Sequence, residues 1–174
     1  RARMIVLAFD GESNEAIDAF VTFAQDVCEA DEVYYSKNDP VNPYSDEILI
    51  IADKNPNLHH VHQSGLKPIE KIPSRIRAVV VQRDVSARDF ALIKQKKLGV
   101  VLVFATNLTA LDELANVILP IPTYAEQTGH FTNTEGRIQR FEEAFAPRGE
   151  ARIIQSYLSD LTRMASEITN KSIV

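Results

Sequence analysis

Between Thr123 and Gln139 the chain concentrates groups that could hold a polar ligand. Glu126, Asn133 and Glu135 offer acceptors, Arg137 a guanidinium, and Gln127 and Gln139 carboxamides, set around the permissive glycines Gly129 and Gly136. The stretch shows neither a strand nor a helix period. Long irregular segments inside compact domains are usually functional or disordered, and this composition is too specific for a linker. Such a loop could wrap a ligand, or it could lock one part of a fold to another.

Other constellations are weaker. Asp10-Gly11-Glu12-Ser13 joins a strand pattern to a helix pattern, where helix N-terminal amides can cradle phosphate. A single glycine between two acids reads more simply as an ordinary βα turn. His59, His60 and His62 invite a metal, but no carboxylate or thiol stands at a fixed spacing from them, so a solvated loop is the reading over 55–73. The single cysteine, Cys28, allows neither an internal disulfide nor a cysteine-ligated iron–sulfur cluster within the chain. No nucleophile–base pair can be placed either. The expectation is therefore no catalytic residue and no metal ligand in these 174 residues.

With 45% hydrophobic residues, positions 1–174 can build one globular domain. A net charge of −5 argues against nucleic acid or an anionic membrane surface as partner. No apolar run approaches the roughly 18 residues that span a bilayer. One cysteine fits a reducing, cytoplasmic setting. The opening Arg1-Ala2-Arg3-Met4 reads as a piece of a longer chain.

The elements that would position these groups follow from apolar patterning. Strands are predicted at 4–9, 31–35, 47–52, 77–81, 100–104 and 117–119, most of them nearly continuous apolar runs. Between them lie a helix over 14–28 with Ser13 as N-cap, a helix over 86–97 opened by Ser86, and a short helix opened by Thr109 and Asp112. A last helix over 151–168 carries Ile154, Tyr157, Leu158, Leu161, Met164 and Ile168 on one stripe, a core or interface face. Strands alternating with helices imply an α/β fold in three layers, a mostly parallel sheet with helices on both faces. The 123–139 loop is expected at the carboxyl edge of the sheet, where ligand sites of open α/β sheets gather.

Ala115 to Pro120 and Glu126 to Gln139, A-N-V-I-L-P … E-Q-T-G-H-F-T-N-T-E-G-R-I-Q, resemble a signature of the molybdopterin oxidoreductase superfamily, A-D-V-V-L-P … E-x-x-G-T-F-T-N-x-E-G-R-x-Q. More than a dozen positions agree in order. The superfamily includes formate dehydrogenases, nitrate reductases and the G chain of bacterial NADH:quinone oxidoreductase (complex I). The resemblance implies a Rossmann-like lobe of the formate dehydrogenase/DMSO reductase fold, and it marks Glu126, Gly129, Asn133, Glu135, Gly136 and Arg137 as family cofactor-site positions. Elsewhere the pattern is broken. Gln82, Arg83, Asp84 and Val85 stand where cofactor-binding members have G-x-N-P, Phe104 and Ala105 replace a Q-D pair, Leu111 replaces a threonine, and Asn116 an aspartate. Asn57, Gly65 and Pro68 echo a G-chain loop, N-x-x-G-x-x-x-x-G-x-x-P.

An intact loop beside degraded nucleotide contacts is the pattern of the complex I G chain, which keeps the fold while, as a rule, losing the cofactor. The resemblance therefore implies a cofactor-free domain of that subunit with a structural or assembly role. Iron–sulfur clusters would lie elsewhere in the parent chain. The partners would be the rest of that chain and other subunits, with the assembly peripheral on the cytoplasmic face of the membrane. The alternative is one lobe of a true oxidoreductase, such as a formate dehydrogenase, that binds molybdopterin guanine dinucleotide. On the first view the six loop positions are vestigial, and Glu135 and Arg137 pin the loop to the sheet edge by charged hydrogen bonds.

Overall fold

A computed structural model describes residues 4–30, 32–37, 44–46 and 55–171. Strands β1 (Met4–Phe9), β2 (Tyr34–Ser36), β3 (Lys67–Pro68), β4 (Ala78–Gln82), β5 (Val100–Ala105) and β6 (Val117–Pro120) form one sheet in the order β3-β2-β1-β4-β5-β6. Every neighbouring pair is parallel. The strand order reverses between β1 and β4, so the carboxyl ends of these two strands flank a topological switch point.

Period-two alternation along β1 divides the interior into two cores. Val6 and Ala8 face one layer with Ile17 and Phe20 of helix α1 (Asn14–Asp26) and Ile154 and Leu158 of the C-terminal helix (Ile154–Lys171, numbered α4 below). Ile5 and Leu7 face the other with Val79, Val81, Val103, Leu111 and Ile93, the last from helix α3 (Ala87–Lys96). Ser13 caps α1 by accepting from the Ala16 amide, and Ser86 caps α3 by accepting from the Asp89 amide. Thr109 and Asp112 close a reciprocal capping box on a 3₁₀ turn at Ala110–Glu113. No helix among the described residues is long and apolar enough to cross a membrane.

The predicted strand at 47–52 lies outside the described residues. Two other expectations need correction. The stretch read as a loop over 55–73 instead holds helix α2 (Leu58–Gln63) and strand β3. Six residues are too few to display a helical period, and β3 carries a proline at the sheet edge, where its missing amide costs nothing. The polar 123–139 segment is ordered as well. A 3₁₀ turn at Tyr124–Glu126 leads into an antiparallel hairpin of β7 (Gly129–Thr132) and β8 (Ile138–Phe141). It packs on the α1 N-terminus, hence at the carboxyl edge of the main sheet as expected.

Phe20 is fully buried and meets the Phe104 ring edge-to-face at 6.0 Å. Phe20→Ala is expected to cost about 3–5 kcal/mol. Urea unfolding should show a lower midpoint with an unchanged slope.

Candidate functional site

The turn after β1, the ends of β4 and β5 and the segment after β6 line a cleft of about 320 Å³ at the switch point. Gly11 and Glu12 come from the first, Arg83 and Asp84 from the second, Thr106 and Asn107 from the third, Thr123 and Tyr124 from the fourth. Gln82 is wholly buried, and its side-chain oxygen accepts from the Phe9 amide at 3.1 Å, extending the β1–β4 ladder beyond its last backbone pair, Leu7 with Val81. Arg83 takes a left-handed backbone, φ +61°, uncommon for a residue with a side chain. Its guanidinium donates to the Glu12 carboxylate at 2.6 Å and to the Pro122 carbonyl at 3.1 Å. The two side chains are 13% and 3% exposed. Burial pushes the Glu12 carboxyl upward in pKa, while Arg83 works against that rise.

Beside the cleft, three side chains anchor the hairpin. Asn57 is wholly buried; its side-chain nitrogen donates to the Glu12 carbonyl at 2.6 Å, and its oxygen accepts from the Thr132 amide at 2.7 Å. Those two bonds explain why Asn57, at the N-cap of α2, leaves that helix without a side-chain cap. Asn14 donates to the Thr132 hydroxyl at 3.0 Å. The Glu15 carboxylate accepts from the His130 amide at 3.1 Å and pairs with the His130 ring.

The hairpin accounts for most of the residues singled out in it. Glu126 accepts from the Thr123 amide at 2.9 Å and hydroxyl at 3.1 Å, and the amide's hydrogen bond holds its carboxyl below the ordinary range. Gly129 lies in a strand, where a Cβ would come within 2.9 Å of the Phe141 ring and 3.0 Å of Glu15, so close approach, not a turn, demands glycine. Asn133 accepts from the Glu135 and Arg137 amides and organises the turn that Gly136, at φ +79°, completes. Glu135 and Arg137 contradict the expectation of pinning side chains. Both are exposed, and neither makes a side-chain hydrogen bond or ion pair with the described residues; the buried anchors are Asn14, Asn57 and Thr132. Nor do the histidines sit in a solvated loop: on α2, His60 bonds Asp18 at 2.8 Å and His62 the Tyr35 hydroxyl at 3.2 Å.

The family model described as molybdopterin oxidoreductase matches residues 60–163, well over half of the chain. The chain belongs to the molybdopterin oxidoreductase family. Among curated relatives in that family's company, the F420-dependent formate dehydrogenase subunit alpha of Methanocaldococcus jannaschii is 34% identical over 119 residues, 67% of this chain. The F420-dependent formate dehydrogenase 1 subunit alpha of Methanococcus maripaludis is 41% identical over 56 residues, 32% of this chain. The matched segments make up 16% and 8% of those relatives, so this molybdopterin-oxidoreductase domain corresponds to a small part of each.

Sequence reasoning flagged Asn57 and Glu126 without their roles, and it missed the Glu12–Arg83 pair, Asn14 and the Glu15–His130 contact. The one available signal was Asn57, in the N-x-x-G-like stretch ending at Pro68.

Asn57→Ala would leave a buried carbonyl and a buried amide unpaired, each costing about 1–3 kcal/mol. It should lower the denaturation midpoint clearly, whereas Arg137→Ala should stay within about 0.5 kcal/mol of wild type. Equal losses from the two substitutions would overturn the assignment of the anchor. Burial alone would raise the Glu15 carboxyl, but its hydrogen bonds with His130 outweigh that and hold it below 4.5. A depressed folded value means that this stabilisation is full above pH 4.5 and is lost as pH falls through the folded value. Protection of the His130 and Thr132 amides against hydrogen exchange, corrected for the pH dependence of intrinsic exchange, should therefore fall on acidification below that point, and Glu15→Gln should flatten the response.

Proposed function

We propose that this domain is a cofactor-free member of its family, a structural part of the G subunit of an NADH:quinone oxidoreductase. On this reading its partners are the rest of the parent polypeptide and neighbouring subunits, in an assembly on the cytoplasmic face of the membrane. The iron–sulfur clusters that the family implies belong to other parts of the parent chain.

The observation that carries the reading is Gln82. Where cofactor-binding members are expected to have a glycine that lets a nucleotide approach the backbone, Gln82 buries its whole side chain and stitches β4 to β1. The neighbouring groups are equally unsuited to a guanine dinucleotide. Glu12 sets a buried carboxylate in the lining of the cleft, where it would repel a diphosphate. Ala105 cannot accept a hydrogen bond from guanine, and the Phe104 ring is wholly buried against Phe20 and Tyr157. Leu111, in place of a threonine, is buried in the second core. With these residues no step of molybdenum chemistry can be assigned to the domain, and its contribution is a rigid, well-packed body.

A second reading is favoured by two of the relatives, named as formate dehydrogenase subunits: the domain would then be one lobe of an oxidoreductase that holds molybdopterin guanine dinucleotide. Elemental and pterin analysis of the native complex purified through this chain separates the two. The expected result is iron without stoichiometric molybdenum, tungsten or pterin, together with NADH-dependent quinone reduction. Stoichiometric pterin with formate-dependent reduction would replace the first reading by the second.

A further inference from the structure

Among the described residues that line the cleft at the switch point, Arg83 is the one cation, and it is already engaged. Arg83 reaches into the space between the β1 turn and the segment after β6, and Glu12 meets its guanidinium at 2.6 Å with both side chains largely out of solvent. An arginine in the left-handed region carries a conformational cost, which persists only where the surroundings impose it. Here they do: the Arg83 amide donates to the Phe104 carbonyl at 2.7 Å, and the guanidinium also holds the Pro122 carbonyl. The carboxylate–guanidinium contact has the charge-assisted chemistry by which arginine takes phosphate oxygens.

We infer that Arg83 is a captive anion-binding group and that Glu12 stands against it in the place of a ligand's phosphate oxygen, shutting the switch-point cleft to phosphorylated ligands. The 320 Å³ of the cleft is enough for part of a nucleotide, and Thr106, Asn107, Thr109 and Thr123 line it with neutral polar groups. What bars an anion is the Glu12 carboxylate, which has claimed the cation and would repel a diphosphate placed beside it. Neutralising that one side chain while keeping its shape removes the carboxylate paired with Arg83 and leaves Asp84 as the acidic group that still lines the cleft. The inference deepens the cofactor-free reading, on which it rests for the absence of a resident dinucleotide, but it is independent of which complex the parent chain serves.

The test is calorimetric titration of guanosine diphosphate and of inorganic pyrophosphate into wild type, Glu12→Gln and the double variant Glu12→Gln/Arg83→Met. Wild type should show no saturable binding at millimolar ligand. Glu12→Gln should bind both probes at least tenfold more tightly, weakening with added salt, and the double variant should lose the gain. Wild type binding as tightly as Glu12→Gln would overturn the inference, as would a folded Glu12→Gln that gains nothing. Should Glu12→Gln fail to fold, wild type decides alone. Phenylglyoxal should modify Arg83 at least tenfold more slowly than Arg140, which is 61% exposed, and equal rates would refute captivity. Failure here leaves the cofactor-free reading standing, since that reading is judged by pterin in the native complex.

Discussion

A single buried carboxamide, that of Asn57, holds two parts of the molecule that could not hold themselves. A two-stranded hairpin is marginal in water, and a six-residue helix is shorter still of what isolated helices need. Asn57 sits at the start of α2 and reaches both the β1 turn, through the Glu12 carbonyl, and the hairpin, through the Thr132 amide. Each bond satisfies a backbone group that has no ladder partner of its own. Around it, Asn14 and Glu15 present the first turn of α1 to the same hairpin, so that α1, α2 and β7 support one another.

The same economy of internal partners marks the switch point. In a parallel sheet wound with helices on both faces the strand order reverses, and at that place the carboxyl ends of two strands part and leave a crevice. Here the protein's own side chains meet across it. Gln82 continues the ladder where the backbones separate, and Arg83 ties the β1 turn to the segment following β6. Desolvating an ion pair and forcing an arginine into the left-handed region both oppose folding. Their presence together marks a place where specificity of geometry outweighs maximal stability.

Much of the main sheet was legible because a parallel sheet covered on both faces demands near-continuous apolar strands. Met4–Phe9, Ala78–Gln82 and Val100–Ala105 meet that demand without ambiguity. The hairpin was not legible, for the complementary reason. Its strands are short, polar and exposed on one side, and what orders them is a set of side chains 75 to 118 positions away in the chain. No local pattern can announce such pairings, and the same holds for Glu12 and Arg83, 71 positions apart. Resemblance to a family marked the hairpin residues as important but could not say how. Gly129, Asn133 and Gly136 turn out to shape the hairpin itself and Glu126 the turn that leads into it, while Glu135 and Arg137 project from the hairpin.

Helix α4 carries its apolar stripe past the body that covers it. Ile154 and Leu158 are buried against α1 and the sheet, whereas Met164 and Ile168, further along the stripe, are 51% and 66% exposed. The helix is thus one element geometrically and two thermodynamically. Its first turns can open only with the domain, whereas its later turns include exposed local contacts such as the Arg163–Glu167 pair, worth a few tenths of a kcal/mol. A change confined to the turns beyond Leu161, the last residue of the stripe that packs on the core, can therefore leave the core contacts of Ile154 and Leu158 in place.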